Sequence, residues 1–431
     1  MTQAIRIQPG AASDRGVRMA AAAWVLTALY YFYQYALRSA PAVMIPDLSS
    51  AFDITPVAVA SIVGLFYYGY SPFSLVAGAA IDRIGTRRLL PGAAAVVGVG
   101  ALLFATGDRH VASIGRFLQG AGGVFALVGA IDIATRNFAP SRAATLIGAT
   151  QMFGMAGGSA GQFVVGPLIG HGLKWNVFWT AMGVGGLLIG LILFVLLPKD
   201  VRADARGTGW KSTVVAFRAV FSNPQSILCG VVAGLLFIPT TIFDMIWGVR
   251  YLQEAHGLEY GQAVLRSASV PFGWIIGCPL LGLISDRLGR RKPVIMGGGL
   301  VLLACLAWIL YGRTGVFPPY AVGLVAGIAS GAAMLPYTVI KEANPPQFGG
   351  TATGVINFIN FTLSALLAPV FGRMLQSVSG GATTMTHAHY QSVFVLFLYG
   401  VAIAVVLTWF LKETGSAVRA PAGAVDGEQR N

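Results

Sequence analysis

Twelve long apolar segments make up most of the sequence, and each is long enough to cross a lipid bilayer as a helix. Such a crossing needs about 20 mostly apolar residues, whereas a membrane barrel strand needs only about 9–11. Helices and closed barrels are the only structures that satisfy their backbone hydrogen bonds inside lipid. We therefore predict an all-α membrane protein with twelve transmembrane helices. They are expected at about residues 20–45, 57–80, 89–106, 111–135, 143–170, 176–197, 226–252, 263–285, 293–312, 319–340, 351–374 and 390–411.

The scarcity of charged residues excludes a soluble globular protein. Only 10% of the 431 residues are charged, while 55% are apolar, and the mean hydropathy is +0.71. Soluble domains carry about 25% charged residues, which is enough to cover a surface in contact with water. The basic N-terminal stretch leads into an apolar segment that is too long for the core of a cleavable signal, so we expect the first helix to be retained.

The distribution of basic residues predicts the orientation. If both termini are cytoplasmic, the cytoplasmic segments contain 21 of the 29 Lys and Arg residues, as expected from the excess of positive charge on the inner side of membrane proteins. The net charge of +13 is thus a topology signal. It does not indicate nucleic-acid binding, because no basic patch lies on a soluble domain.

Two echoes in the sequence indicate an internal repeat. The segment GAAIDRIGTRR at residues 78–88 is matched by GLISDRLGRRK at 282–292, so that Asp82 and Asp286 are 204 residues apart. A second pair of proline-containing segments, around Pro167 and Pro369, has an offset of 202. We predict two six-helix bundles at 20–197 and 225–411, a cytoplasmic linker at 198–224, and cytoplasmic tails at 1–19 and 412–431.

The repeated pattern G-x-x-x-D-R-x-G-x-R-R, which ends in Lys292 in the second copy, resembles the signature loop of the major facilitator superfamily, which joins helices two and three. The segment from Arg116 through Gln119 to Gly122 is similar to the family's helix-four motif R-x-x-Q-G-x-G. This resemblance implies two bundles around a central cavity and secondary transport by alternating access. It also implies a multi-pass protein of the bacterial inner membrane. We expect it to act as a monomer.

The first segment is similar to the first helix of the organophosphate and organic-anion transporters, in which an arginine follows a tyrosine cluster. Four of its residues recur at i, i+3, i+4 and i+7 and share one helical face: Tyr31, Gln34, Tyr35 and Arg38. A guanidinium group binds carboxylate or phosphate through two parallel hydrogen bonds. The face is therefore either an anion-binding site or a packing cluster with a snorkelling arginine. Further candidates for substrate contact are Trp247, Asn357 and Asn360.

A carboxylate in the seventh segment is the second functional candidate. The phosphate antiporters of the family carry a second arginine in this helix, but the repeat offset leads to Ile242 here, and the nearest charge is Asp244. Charged residues inside a membrane usually face a partner or water and have a function. We interpret Asp244 either as a proton-coupling site or as a counter-ion of Arg38 or Arg250.

The charged residues of the repeated loops and of the helix ends nearby are candidates for an inner gate. The alternative is that they only set the topology and are solvated. They are Asp82, Arg83, Arg87, Asp132, Arg136, Arg142, Asp286, Arg287 and Arg290. Arg116 and Gln119, in the fourth helix, are expected to have a structural role, because an arginine there can donate to backbone carbonyls of neighbouring helices.

These features predict a secondary transporter for a small organic anion, either a carboxylate or an organophosphate, coupled to protons or to a counter-substrate. Two alternatives remain, an exporter of drugs or siderophore-like amphiphiles and a sensor that does not transport. The sequence has no nucleophile elbow, no H-E-x-x-H motif and no phosphate-binding loop. We therefore expect no enzymatic activity, no cofactor and no metal site.

Overall fold

A computed structural model describes residues 14–138, 140–197, 210–312, 320–382 and 384–415. All regular secondary structure in these ranges is helical. Eleven segments within them are long and apolar enough to cross a membrane, and they correspond to the second to twelfth predicted spans. The first predicted span is also a helix, Asp14–Ser39, but its tyrosines and Gln34 lower its mean hydropathy. The prediction of an all-α membrane protein is confirmed.

The first half of the chain contains eight α-helices and one short 3₁₀ turn at Ala40–Val43. The α-helices are α1 (Asp14–Ser39), α2 (Ile45–Phe52), α3 (Pro56–Ile84), α4 (Thr86–Phe104), α5 (Arg109–Asn137), α6 (Pro140–Phe163), α7 (Val165–Gly170) and α8 (Trp175–Leu196). The helices α6 and α7 together form the fifth span.

The second half begins with a helix in the predicted linker and contains a stretch of π-helix at Pro239–Gly248. Short 3₁₀ turns lie at Gly331–Met334 and Pro346–Phe348. The α-helices are α9 (Trp210–Phe221), α10 (Pro224–Ile238), α11 (Val249–His256), α12 (Tyr260–Leu288), α13 (Lys292–Tyr311), α14 (Ala321–Ser330), α15 (Leu335–Glu342), α16 (Gly349–Val378) and α17 (His387–Trp409).

The two repeated loops lie on the same side of the membrane, because six spans separate them. We call this side the loop end and the opposite side the far end. Burial then distinguishes lining helices from peripheral ones. In the most apolar stretch of α8 only 28% of the residues are buried, and in α17 33%, against 72% in α5 and 78% in the span from α10 to α11. The helices α8 and α17 therefore present most of their surface to lipid.

In the described ranges, two pairs of long helices make the most extensive contacts between the halves. The helix α3 packs against α16, where the Ser71 hydroxyl lies 2.6 Å from the Thr362 hydroxyl. The helix α6 packs against α12, where Ser159 Oγ donates to the carbonyl of Ala268 at 3.0 Å. At the far end, Tyr260 Oη donates to the carbonyl of Val43 at 2.7 Å. The halves are therefore in contact at the far end.

Within the first half, α3 and α5 approach so closely that a glycine is required. A Cβ atom at Gly120 would overlap the carbonyl oxygen of Phe66. At Gly92, on the lipid-facing side of α4, none of the described atoms lies within 4 Å of the place that a Cβ would take. Small residues permit this kind of approach between helices in lipid.

We expect Gly120→Ala to destabilise the protein by about 1–3 kcal/mol, the usual cost of overpacking a dense interior. The matched variant Gly92→Ala should leave the melting temperature almost unchanged. Thermal unfolding of both variants in the same detergent tests the prediction. Equal melting temperatures for the two variants would contradict the close α3–α5 contact.

Candidate functional site

The four residues of the predicted binding face lie in the interior of the protein. Tyr31 is 1% exposed, Gln34 is 0%, Tyr35 is 2% and Arg38 is 2%. The helix α1 ends one residue after Arg38, where Pro41 follows within the 3₁₀ turn. Arg38 is therefore not a snorkelling side chain, because its guanidinium reaches neither water nor the membrane surface.

Aromatic rings from both halves enclose the guanidinium group of Arg38. Its central carbon lies between 4.1 and 5.8 Å from five ring centroids, which is the range of cation–π interactions. We call these rings the aromatic cage: Tyr35, Phe66, Tyr67, Tyr70 and Phe361. Phe361 belongs to α16 and the other four to α1 and α3, so the cage is assembled by both halves.

The cage attracts the arginine, but no cage hydroxyl accepts a hydrogen bond of normal geometry from it, although the Tyr70 hydroxyl lies near the guanidinium. Within the described part of the chain, none of the three guanidinium nitrogens of Arg38 has a hydrogen-bond partner, and the Tyr70 hydroxyl has none either. A buried charge without a hydrogen bond is costly. The site is therefore complete only when an acceptor, such as an anion or water, occupies it.

Neutral polar groups of the second half extend this site. Tyr337 Oη donates to Asn357 Oδ1 at 2.7 Å and accepts from Asn360 Nδ2 at 3.1 Å. Tyr337 also lies within electrostatic range of Arg38. The buried Asn357 Nδ2 and Asn360 Oδ1, and both amide atoms of Gln34, have no partner among the described residues. Asn357 thus offers a ligand one donor, Asn360 offers one acceptor, and Gln34 offers both a donor and an acceptor.

Tyr31 connects the site to the second half on the side that faces the loop end. Its hydroxyl donates to Gln151 Oε1 of α6 at 2.8 Å, and Gln151 Nε2 contacts Met334 Sδ at 3.4 Å. Tyr31 lies seven residues before Arg38, about 10 Å along the helix axis. The three side chains therefore bridge the halves between the cage and the loop end.

Asp244 lies in the π-helical stretch and is 3% exposed. Its Oδ1 accepts a hydrogen bond from Ser267 Oγ at 2.9 Å, while its Oδ2 has no partner in the described ranges. No ion pair joins Asp244 to Arg38 or Arg250 among these residues, and Arg250 instead contacts Glu254 at 2.8 Å. The structure thus does not contain the ion pair that we considered as one role for Asp244.

Trp247 lies one turn beyond Asp244 and is fully buried. Its Nε1 has no hydrogen-bond partner among the described residues, and its ring centroid lies 5.9 Å from the guanidinium carbon of Arg250. π-helical turns are rare in proteins, but those that occur often lie at functional sites. An unusual backbone segment therefore positions both Asp244 and Trp247.

Arg116 and Gln119 have the arrangement that a structural role requires. Arg116 Nη1 donates to the carbonyl of Leu37 at 3.1 Å and to Gln119 Oε1 at 2.7 Å, and Nη2 donates to the carbonyl of Val63 at 3.3 Å. Gln119 Nε2 donates to the carbonyl of Gly100 at 3.0 Å. These bonds join α5 to α1, α3 and α4.

At the loop end of the second half, Asp286 pairs with Arg291, which the sequence analysis did not select. Arg291 also contacts Glu342 at 3.2 Å, and its backbone amide donates to Glu413 at 2.6 Å. Burial alone would lower the pKa of Arg291, but its bonds to Asp286 and Glu342 outweigh burial and raise it. The candidates Arg287 and Arg290 are exposed.

In the first half, Asp132 and Arg136 form an ion pair with a nitrogen–oxygen distance of 2.5 Å. Arg87 Nη1 donates to the carbonyl of Leu197 at 3.0 Å. The side chains of the other gate candidates in this half lie outside the described part of the structure: Asp82, Arg83 and Arg142.

The sequence analysis missed most of the cage. The run Phe66-Tyr67-Tyr68-Gly69-Tyr70 in the second span was a usable signal, because positions 66, 67 and 70 share one helical face. Phe361 could not be identified, since only the tertiary structure brings α16 beside α3. In the part of the chain that the structure describes, no group of three or more His, Cys, Asp or Glu could hold a metal ion.

Comparison with known proteins is consistent with this architecture. A model described as Major Facilitator Superfamily matches residues 27–369. The 3-(3-hydroxy-phenyl)propionate transporter of Escherichia coli is 27% identical over 346 residues, which are 78% of this chain and 83% of that protein. The gentisate transporter of Corynebacterium glutamicum is 21% identical over 76% of this chain and 75% of that protein. The hexuronate transporter of Bacillus subtilis is 25% identical, with 80% and 85% covered.

Solved structures show the same fold at low sequence identity. The nucleoside transporter NupG superposes with a TM-score of 0.72 at 13% identity, covering 90% of this chain and 99% of that chain. A D-xylose-proton symporter superposes with a TM-score of 0.69 at 16% identity, covering 92% and 98%.

The two buried arginines should differ in their effect on stability. Arg116→Gln should lower the free energy of unfolding, because a charged hydrogen bond contributes about 1.5–3 kcal/mol and Arg116 makes three. Arg38→Gln should have a smaller effect, since it breaks no hydrogen bond to a described residue. Thermal unfolding of both variants without added ligand tests this. A larger loss of stability in Arg38→Gln would contradict the assignment of roles.

Proposed function

The chain belongs to the Major Facilitator Superfamily, and on that premise we propose that it carries a small organic carboxylate by alternating access, with Arg38 as the anion-binding group. The chain is a multi-pass transporter of the bacterial inner membrane and not an enzyme. The relatives named above are transporters of hydroxyphenylpropionate, gentisate and hexuronate. All three compounds are carboxylates, which supports the same class of substrate here.

The observation that carries this proposal is the buried Arg38 with three nitrogens that have no partner among the described residues. A carboxylate would accept two parallel hydrogen bonds from the guanidinium and neutralise its charge. The aromatic cage would contact the apolar part of the substrate. The free amide groups of Gln34, Asn357 and Asn360 would bind its hydroxyl or carbonyl groups and so contribute to specificity.

A carboxylate suits this site better than a phosphate group. The second arginine close to the cage, Arg116, already donates three hydrogen bonds within the protein. The seventh span has Asp244 near the position where the phosphate antiporters of the family have a second arginine. Of the two described arginines close to the cage, Arg38 is therefore the one whose donors are all available, and its positive charge balances one carboxylate.

We further propose that Asp244 carries the coupling proton. Its carboxylate can gain or lose a proton without breaking an ion pair, because its partner is the hydroxyl of Ser267. The free Oδ2 provides a position for the proton. A hydrogen bond of 3.1 Å from Tyr67 of the cage to the carbonyl of Thr241 connects the cage with the π-helical stretch. A change at Asp244 could thus shift the packing around Arg38.

The charge distribution supports a cytoplasmic loop end, which would place both termini in the cytoplasm. The ion pairs of Asp286, Arg291 and Glu342 would then hold the inner side of the second half. We propose that they form part of the inner gate, together with the pair of Asp132 and Arg136. Alternating access requires one half to rock against the other, and such pairs can open and re-form during this motion.

Counterflow in proteoliposomes tests the binding role of Arg38. The substrate would first be identified by screening labelled aromatic carboxylates, hexuronates and sugar phosphates. Arg38→Gln should then reduce counterflow at low substrate concentration by about 100-fold, as expected from the loss of a buried charge pair. Arg38→Lys should retain part of the activity, because lysine keeps the charge but lacks the planar fork.

The control for this experiment is Lys174→Gln, which removes a positive charge from an exposed position at the far end. It should exchange the substrate like the wild type. A wild-type rate in Arg38→Gln would refute the proposal, and a preference for sugar phosphates over carboxylates would refute the substrate class.

The coupling role of Asp244 predicts a separation of exchange from accumulation. Asp244→Asn should retain counterflow, because the amide has the same size, but an imposed pH gradient should no longer drive uptake. Ser267→Ala removes the hydrogen bond but keeps the carboxyl group, so it should remain coupled. Uptake against a concentration gradient by Asp244→Asn, driven by the pH gradient alone, would show that the proton binds elsewhere.

A further inference from the structure

The far end of the bundle carries a cleft of about 410 Å³ on the seam between the two halves. The beginnings of α3 and α5 form its wall in the first half, and the end of α16 forms its wall in the second half. The cleft is separate from the aromatic cage, because its lining residues include no residue of the cage. It opens to the outside of the protein, whereas Arg38 is buried.

The polar lining of this cleft contains basic and neutral side chains. Arg109 and His110 come from the first half and Arg373 from the second, and no acidic residue is among the lining residues. Arg109 Nε donates to His110 Nε2 at 3.3 Å. The lining thus has two guanidinium charges, one on each half.

The carboxylate that precedes Arg109 in the chain is already engaged in hydrogen bonds. Asp108 Oδ1 accepts hydrogen bonds from the backbone amides of His110 and Val111 at 2.8 and 2.9 Å and so caps the start of α5. The bond from Val111 is the main cause of the lowered pKa of Asp108. Neither Arg109 nor Arg373 forms an ion pair in the described ranges of the chain. The lining of the cleft therefore includes two cations and no carboxylate, and Asp108 acts on Arg109 only from outside the lining.

The two arginines lie on opposite sides of a close contact between the halves. Next to Arg373, a Cβ atom at Gly372 would lie 3.2 Å from Val57 Cγ1, so α16 and α3 are in close contact beside the cleft. Like charges on the two sides of this contact repel each other. An anion between them would reverse the sign of the interaction and join the halves. Arginine is also less frequent on the outer side of membrane proteins than on the cytoplasmic side.

We propose that this cleft binds one phosphate-type anion between Arg109 and Arg373, and that the bound anion stabilises the contact between the halves at the far end. Guanidinium groups bind phosphate oxygens through paired, charge-assisted hydrogen bonds. The phosphate belongs either to the headgroup of an anionic phospholipid or to an anion in solution. The lining of the site shares no residue with the aromatic cage around Arg38, so its test does not depend on the identity of the substrate.

Thermal unfolding in lipid nanodiscs tests the proposal, since a ligand of the native state raises the melting temperature. The protein is compared in phosphatidylcholine, in phosphatidylcholine with inorganic phosphate, and in phosphatidylcholine with phosphatidylglycerol. The variants are Arg109→Gln, Arg373→Gln and the double variant. Lys174→Gln is the matched control, because it removes one exposed positive charge at the far end from outside the cleft.

We expect the anion to raise the melting temperature of the wild type and of Lys174→Gln. Each arginine variant should lose most of this rise and bind the anion about tenfold more weakly, as one charge-assisted contact is lost. The double variant should lose little more than either single variant, because both arginines bind the same anion. A rise with inorganic phosphate identifies an anion from solution, and a rise only with phosphatidylglycerol identifies the headgroup.

Three results would overturn the proposal. The first is no rise of the melting temperature with either anion. The second is a rise of equal size in the wild type and in both arginine variants. The third is a loss in Lys174→Gln as large as the losses in Arg109→Gln and Arg373→Gln, which would indicate attraction by the overall charge and not a site.

Discussion

Lipid offers no hydrogen bonds, and this constraint determines where each polar group of the chain can lie. Some buried polar side chains comply by donating to a backbone carbonyl of a neighbouring helix, and others donate to a carbonyl one turn back in their own helix. The bonds of Tyr30 to Gly122 and of Tyr33 to Met182, at 2.9 and 2.6 Å, are typical. Against this background, polar atoms without a partner among the described residues are informative. Those of Gln34, Arg38, Asp244, Asn357 and Asn360 lie on helices in the interior of the bundle, where a transport route is needed.

The contrast between two arginines expresses the same constraint. Both are fully enclosed, and both lie close to the ring of Phe66, at 4.7 Å for Arg38 and 5.3 Å for Arg116. Arg116 uses its donors to join α5 to α1 and α3, and its partner Gln119 adds the bond to α4. Arg38 has its donors free and is surrounded by rings from both halves. Although both arginines are buried, Arg116 stabilises the fold, whereas Arg38 is available to bind a ligand.

The fold was predictable because its signals are local. The length of the apolar segments predicts spans, and the doubled charged loop predicts two halves. The face from Tyr31 to Arg38 was likewise visible, since helical spacing alone brings these residues together. Of the cage, only Tyr35 was predicted, and Phe361 could not be, because it reaches the cage through packing between distant segments. At the loop end, several arginines in succession compete for Asp286, and only the turn between α12 and α13 selects Arg291 over Arg287 and Arg290. The extended π-helical stretch at Asp244 has no signal in the sequence that we can identify.

The contribution of Phe361 to the cage has a kinetic consequence. Because each half supplies part of the site, the site is complete only while the halves are close together around it. When the carrier is loaded, the bound substrate neutralises the charge of Arg38 in that state. An empty carrier must pass through it with a desolvated guanidinium that lacks an acceptor. The return of the empty carrier should therefore be the slow half of the cycle. Unlabelled substrate on one side of the membrane should then accelerate the release of labelled substrate from the other side.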